Sequence, residues 1–187
     1  LERWRQLDPK VRREELIVNV LLVTGGAAAV TAGVFYLMGR PSSESSVSLV
    51  PAGTRRRISP RAALYRLDAD FTLTRILTNM TISNGLAFSP NGRTMYHADT
   101  PAQAITAHDY DGATGTASNA RVLGRFPDAG DRPDGAAVDS EGCYWTAMYN
   151  GGKVKRLAPD GRLLAEYPVP AMCPTMCAFG DPGLKTL

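Results

Sequence analysis

The spacing of hydrophobic and polar positions changes once along the chain. Residues 16–38 read LIVNVLLVTGGAAAVTAGVFYLM and carry no charge. From residue 61 onward, apolar and polar positions alternate in short runs that are separated by Gly, Pro, Asn and Asp. Alternation with a period of two is typical of half-buried strands, and those residues are typical of turns. The pattern predicts an apolar N-terminal segment followed by an all-β region over residues 61–187.

The alternating region divides into short strands. Asn91-Gly92 and Asp111-Gly112 are turn dipeptides that accept the backbone of tight hairpins. The pattern predicts strands at residues 63–67, 72–77, 86–88, 94–97, 104–110, 121–126, 136–138, 144–148, 153–157 and 163–167.

A repeat organises these strands. Residues 83–96 read SNGLAFSPNGRTMY, residues 133–145 read PDGAAVDSEGCYW, and residues 176–184 form a degraded third copy, MCAFGDPGL. Each full copy has an oxygen-bearing side chain, a glycine, three small or apolar residues, a polar turn and an aromatic strand. A period of about 40–50 residues in an all-β sequence is typical of β-propeller blades. We expect about three blades of a propeller.

The N-terminal segment has the length of a membrane span. A helix of ~20 apolar residues crosses the hydrocarbon core of a bilayer, and Arg12, Arg13 and Arg40 bracket the run. We predict a charged segment at residues 1–15, a hydrophobic transmembrane helix at 16–38 and a Ser-rich linker at 39–60. The protein would then be a single-pass membrane protein; without a span it would be cytoplasmic.

Three other interpretations of residues 16–38 remain open. A uniformly apolar helix could be buried in a protein core. Arg12-Arg13 before an apolar run also fits a secretory signal, although Glu14 and Glu15 intrude. Residues 23–26 could form the turn of a dinucleotide site, but the later glycines of that motif are replaced by alanine and valine. The chain opens on Leu1 rather than Met, which is expected of a fragment or a processed product.

Composition narrows the function classes. A net charge of +3 without basic runs among aromatics argues against nucleic acid as a partner. The cysteines are Cys143, Cys173 and Cys177, an odd number that does not make a disulfide framework. Cys173 and Cys177 lack the further Cys or His ligands of a zinc site, so we expect plain thiols.

Asn84 and Asp134 hold equivalent positions in the two full copies of the repeat. In a propeller, both side chains would point toward the central channel. An amide oxygen and a carboxylate that converge are ligands for a hard cation such as Ca²⁺ or Mg²⁺. The alternative is that both are turn residues that lead into strands.

Four motifs carry a resemblance to a known family. They read ISNGLAFSP at residues 82–90, RPDG at 132–135, YNGGKV at 149–154 and PTMCAFG at 174–180. In this order and spacing, residues 61–187 resemble the family of senescence marker protein, regucalcin, gluconolactonase and luciferin-regenerating enzyme. The resemblance implies a six-bladed propeller, a divalent metal (Ca²⁺, Zn²⁺, Mn²⁺ or Mg²⁺) and hydrolysis of sugar lactones. It also implies that Asn84 and Asp134 are metal ligands and that Asp134 is the catalytic acid/base.

The sequence also departs from that family. The family's first metal-binding Glu and its Asn-Arg-x-Asn-Asp-Gly substrate motif have no counterpart here. Two functions follow: a metal-dependent lactonase, tethered to a membrane, or a non-catalytic, membrane-anchored propeller remnant that acts as an accessory subunit. The terminal blades would expose unpaired edges unless a partner chain or the apolar helix covers them. We expect weak metal binding and little lactonase activity from this chain alone.

Other polar and aromatic residues receive lesser roles. His97 and His108 lie in predicted strands without a paired nucleophile, so we expect no catalytic role for them. Asp99 is a candidate for the channel mouth, and Trp145 is a candidate core residue. Asn79 begins a glycosylation sequon, which matters only in a secretory setting.

Overall fold

The computed structural model describes residues 18–22, 62–68, 70–128, 130–181 and 183–187. The described residues form eleven strands and one 3₁₀ turn at Thr100–Ala102. The strands are β1 (Val18–Leu22), β2 (Ala62–Leu67), β3 (Leu73–Met80), β4 (Ser83–Phe88), β5 (Thr94–Asp99), β6 (Ala104–Asp111), β7 (Thr116–Arg125), β8 (Arg132–Val138), β9 (Tyr144–Tyr149), β10 (Lys153–Leu157) and β11 (Leu163–Pro168).

The strands form three sheets. We call them the first sheet (order β1-β2-β3), the second sheet (β4-β5-β6-β7) and the third sheet (β8-β9-β10-β11). The second and third sheets are antiparallel meanders, in which each strand pairs with the next along the chain. Two such consecutive four-stranded units are consistent with part of a propeller.

Two hydrophobic clusters join the sheets face to face. One lies between the first and second sheets and includes Leu64, Met80, Leu86 and Met95. The other lies between the second and third sheets, where Ile105, Tyr144, Met148 and Leu157 are almost fully buried. Side chains of the inner strands therefore contribute to cores on both faces of the second sheet, which explains why β4 is apolar along most of its length.

The all-β prediction for residues 61–187 is confirmed within the described residues, and each predicted strand overlaps an observed one. The largest difference in extent is at β7, which begins at Thr116 rather than residue 121. The residues missed, Thr116 to Ala120, are small and polar and carry no apolar alternation. Their pairing with β6 makes them a strand.

The predicted helix at residues 16–38 is wrong where the structure describes it. Val18–Leu22 is a strand, β1, that pairs in parallel with β2, Val18 opposite Ala63 and Leu22 opposite Leu67. An uninterrupted apolar run fits a buried parallel strand as well as a helix, and only the pairing partner decides. The rest of the predicted helix, residues 23–38, lies outside the described residues. The described residues contain no helix with the length and hydropathy needed to cross a bilayer.

The degraded third copy forms no strand. Residues 174–179 have no regular secondary structure, and one isolated bridge joins Gly180 to Thr186. The segment nevertheless packs beside β8, where the backbone N–H of Gly135 donates to Thr175 O at 2.9 Å. It therefore lies next to the third sheet where a further sheet would begin.

Candidate metal site

Asn84 and Asp134 lie near the beginnings of β4 and β8, the first strands of the second and third sheets. Both strands have an irregular register at this point, between Asn84 and Ala87 in β4 and between Pro133 and Ala136 in β8. Such irregularities redirect side chains and are frequent beside active sites. The structure brings the two side chains together: a hydrogen bond joins the Asn84 amide to the Asp134 carboxylate.

Thr100 connects this pair to the backbone of the neighbouring sheet. Its hydroxyl lies 2.8 Å from the Pro133 carbonyl oxygen and 3.0 Å from Asn84 Nδ2. Thr100 stands in the 3₁₀ turn that follows β5, so a residue of the second sheet contacts the segment that enters the third. Asn84, Thr100, Pro133 and Asp134 are all buried.

Gly85 in β4 contacts two strands of the third sheet, β8 and β9. The Tyr144 hydroxyl donates to Gly85 O at 2.6 Å from the adjacent sheet. Gly85 has φ +55°, and a Cβ there would lie 2.9 Å from both the Asp134 carbonyl oxygen and Ala98 Cβ. Glycine is therefore required beside Asn84 both for its backbone conformation and for the close approach of β8.

Burial raises the pKa of Asp134 from 3.8 to about 6, although hydrogen bonds from Asn84 and from the Gly135 backbone act in the opposite direction. The ion pairs formed by the described residues do not include Asp134. Asp134 is 8% exposed and forms no ion pair with the described residues, so its charged form is disfavoured.

This environment fits a divalent cation. A buried carboxylate is a hard oxygen ligand of the kind that Ca²⁺ and Mg²⁺ prefer, and the Asn84 amide, whose NH₂ donates to that carboxylate, carries another such oxygen at its other end. A bound cation would supply the positive charge that the described residues do not, and it would displace the proton that burial favours on Asp134. The ligand roles of Asn84 and Asp134 stay a prediction.

A second carboxylate cluster lies at the other end of β8. Ligand atoms of Asp139, Glu141 and Cys143 lie within 4.8 Å of one another. The Arg156 guanidinium already occupies the cluster, at 2.7 Å from Asp139 Oδ2 and 2.6 Å from Glu141 Oε2. Trp145 Nε1 also donates to Asp139. The guanidinium contacts both carboxylates, which gives the cluster a structural role.

His97 and Asp99, which received lesser predicted roles, form structural hydrogen bonds. His97 Nε2 lies 2.7 Å from Ser83 Oγ, and both residues are buried. The two carboxylate oxygens of Asp99 accept the backbone N–H groups of Thr81 and Ile82 at 3.0 Å, which fixes the turn before β4.

Three residues at this site were not predicted from the sequence: Thr100, Gln103 and Thr175. Gln103 Nε2 donates to the backbone oxygens of Asp128 at 2.7 Å and Asp131 at 3.1 Å. The Thr175 carbonyl oxygen lies against Gly135 much as that of Asp134 lies against Gly85. Thr175 lies in the PTMCAFG motif at residues 174–180, directly before the third copy of the repeat, and local sequence carried no signal for the other two.

A known protein family matches most of this chain. Residues 37–187 match the family described as the SMP-30/Gluconolactonase/LRE-like region, and the chain belongs to this family. It is 46% identical over 126 residues to a 6-deoxy-6-sulfogluconolactonase from Pseudomonas putida, an alignment that covers 66% of this chain and 43% of that protein.

Solved structures also include proteins that resemble this chain in fold and sequence. A luciferin-regenerating enzyme superposes with a TM-score of 0.60 at 33% identity, over 63% of this chain and 40% of that one. A calcium-binding protein, regucalcin, from Agrobacterium tumefaciens superposes with a TM-score of 0.59 at 32% identity, over 62% of this chain and 40% of that one. The chain thus spans less than half the length of these relatives.

Proposed function

We propose that the protein acts in the hydrolysis of sugar lactones and that Asn84 and Asp134 supply two ligands of a divalent-metal centre in a propeller channel. The observation that carries the proposal is the buried Asp134 carboxylate, which lies beside the Asn84 amide and forms no ion pair with the described residues. The class of substrate rests on the relatives, which include the sulfogluconolactonase from P. putida.

The chemistry assigns separate tasks to the metal and to the protein. A bound divalent cation would polarise a lactone carbonyl and lower the pKa of the attacking water. Asp134 would accept a proton from that water as general base. Asn84 would bind and orient, because an amide side chain does not titrate in this pH range.

Metal binding is the primary test. The full chain is titrated with Mn²⁺, and free Mn²⁺ is followed by electron paramagnetic resonance, which covers the millimolar range; Ca²⁺ is then used as a competitor. We expect a saturable site that is lost in Asp134→Asn. Asp160→Asn is the matched control, because Asp160 is an exposed aspartate that caps its own turn through Arg162 N. Equal binding by wild type and Asp134→Asn would contradict the proposal.

The accessory-subunit alternative retains one supporting observation. Met172, Met176 and Leu184, which follow the third sheet, are 72%, 55% and 67% exposed. Large exposed apolar side chains are frequent where another protein surface binds. A chain that binds no metal but forms a stable complex through these residues would favour this alternative over a lactonase.

A further inference from the structure

We infer that Thr100 is a positioning residue that sets the orientation of the Asn84 amide toward the metal and links it to the strand that carries Asp134. The inference deepens the proposed function and rests on it. Nothing in the repeat distinguishes Thr100, since it follows β5 rather than preceding a first strand.

The hydrogen-bond chemistry allows one arrangement. The Pro133 carbonyl oxygen, 2.8 Å from Thr100 Oγ1, can only accept, so the Thr100 hydroxyl must donate its single proton there. The same hydroxyl can then only accept from the Asn84 group at 3.0 Å. The Asn84 side chain must therefore present its NH₂ end to Thr100 and turn its carbonyl oxygen, the end that binds cations, away from it.

The same hydroxyl connects two sheets. Pro133 immediately precedes Asp134, so the bond from Thr100 also fixes the backbone that carries the carboxylate. Gln103, at the end of the same turn, donates to Asp128 O and Asp131 O and so holds the turn against the entry to β8. One side chain thus orients one ligand and anchors the other.

Replacement of the hydroxyl isolates this role. Thr100→Val keeps the shape of the side chain and removes the hydrogen bonds, whereas Thr100→Ser keeps the hydroxyl. Groups that orient metal ligands typically change metal affinity by roughly 10–100-fold. We expect Thr100→Val to weaken Mn²⁺ binding at least ~10-fold and Thr100→Ser to stay within about threefold of wild type.

Thr146→Val is the matched control. Thr146 is fully buried, and its hydroxyl makes only a local 3.3 Å bond to Ala147 O. We expect the control to bind Mn²⁺ like wild type while its melting temperature falls about as much as that of Thr100→Val. Wild-type affinity in Thr100→Val would overturn the inference. So would equal losses in the Val and Ser variants, because a hydroxyl role requires the serine to rescue.

A second measurement needs neither metal nor a folded valine variant. The Asn84 side-chain NH₂ resonances of ¹⁵N-Asn-labelled protein are assigned by their loss in Asn84→Asp, and their exchange with D₂O is followed in chelator. We expect exchange at least ~10-fold slower than that of the exposed Asn91 amide. Exchange as fast as that of Asn91 would overturn the inference. If the wild-type protein binds no Mn²⁺, the proposed function fails. The exchange rate of the Asn84 NH₂ still tests whether Thr100 orients that amide.

Discussion

Asp134 illustrates at the scale of one residue how a site can oppose folding. Burial raises its pKa to about 6 in the folded protein, above the ordinary value of 3.8 that applies when the chain is unfolded. Between these values the folded protein binds more protons, so the stability that the neutral acid contributes is present below pH ~4 and is lost as pH rises through 6. Above that pH, the charged side chain is held against its hydration preference.

The residue-scale prediction is that Asp134→Asn stabilises the protein in chelator. At pH 8 the unfolding free energy should rise by about 1–3 kcal/mol, since one unit of pKa shift corresponds to about 1.4 kcal/mol. At pH 4 the difference should vanish. Thermal melts of wild type, Asp134→Asn and Asp160→Asn at both values of pH provide the measurement. A gain that is equal at pH 4 and pH 8 would show that charge is not its cause.

His97 behaves in the opposite sense. Burial, reinforced by the nearby His108, lowers its pKa from 6.5 to about 3, so it stays neutral in the folded protein while the unfolded chain takes up a proton. The stability that neutral His97 contributes is complete above pH 6.5 and is lost as pH falls toward 3.

We therefore predict that His97→Gln reduces the acid sensitivity of the fold. Glutamine retains a donor for Ser83 but does not titrate. The unfolding free energy of wild type relative to this variant should fall by up to about 3 kcal/mol between pH 6.5 and pH 4. Urea unfolding across this range measures the difference. The contribution of Asp134 to the pH dependence is the same in both proteins and cancels in the comparison. Parallel pH profiles for the two proteins would contradict the assignment.

At the scale of elements, the close approach of β4 and β8 depends on one glycine. Gly85 and Gly92 both have positive φ, +55° and +67°, yet a Cβ at Gly92 would have no atom within 4 Å, whereas one at Gly85 would meet the Asp134 backbone and Tyr144. Alanine substitutions at these two glycines therefore distinguish the cost of backbone strain from the cost of steric crowding. Strain alone, which both would have, amounts to about 1–2 kcal/mol.

Gly85→Ala should accordingly lose at least ~3 kcal/mol of unfolding free energy, and Gly92→Ala about 1 kcal/mol. Gly85→Ala should also weaken Mn²⁺ binding, since the two strands carry the two ligands. Chemical denaturation and the Mn²⁺ titration measure both effects. Equal destabilisation by the two alanines would mean that the strands do not approach as closely as Tyr144 and Gly85 indicate.

The strands show where sequence reasoning succeeds. The second and third sheets could be predicted because each strand pairs with its neighbour along the chain, so local alternation and turns carry the information. β1 could not, because its partner β2 is distant in sequence and a uniform apolar run lacks a period. At the site, the repeat places Asn84 and Asp134 at equivalent positions. Because consecutive blades are related by the symmetry of a propeller, equivalent positions predict that the two side chains lie close together. Thr100 and Gln103 act across sheets, so their partners depend on packing that no local pattern encodes.

At the scale of the whole molecule, a network of ion pairs connects strands of the third sheet. Lys155 Nζ lies 2.5 Å from Asp131 Oδ2 and 2.9 Å from Glu166 Oε1, and Lys155 also lies over the Phe126 ring. Asp131 is a buried carboxylate like Asp134, but lysines compensate it and lower its pKa. The two carboxylates thus differ within one short segment: lysines compensate Asp131, whereas the ion pairs formed by the described residues do not include Asp134.

The completeness of the metal shell determines what this 187-residue chain can do alone. The family resemblance implies a third protein ligand, a Glu, for which the sequence has no counterpart. The chain spans 43% of the sulfogluconolactonase and 40% of the luciferin-regenerating enzyme. A cation held by one carboxylate and one amide must complete its shell with water, so we expect dissociation constants in the millimolar range of loose calcium sites.

Lactone hydrolysis by this chain should be slow for the same reason. A carbonyl is polarised effectively where water is excluded, and a site that the cation shares with several waters lacks that exclusion. Hydrolysis of a sugar δ-lactone is measured with Ca²⁺, Mn²⁺ or Zn²⁺ for wild type, Asp134→Asn and Asp160→Asn, and we expect little difference among the three. Robust turnover that only Asp134→Asn abolishes would show that the shell is complete, with the missing ligand supplied by a residue other than the Glu that the resemblance implies.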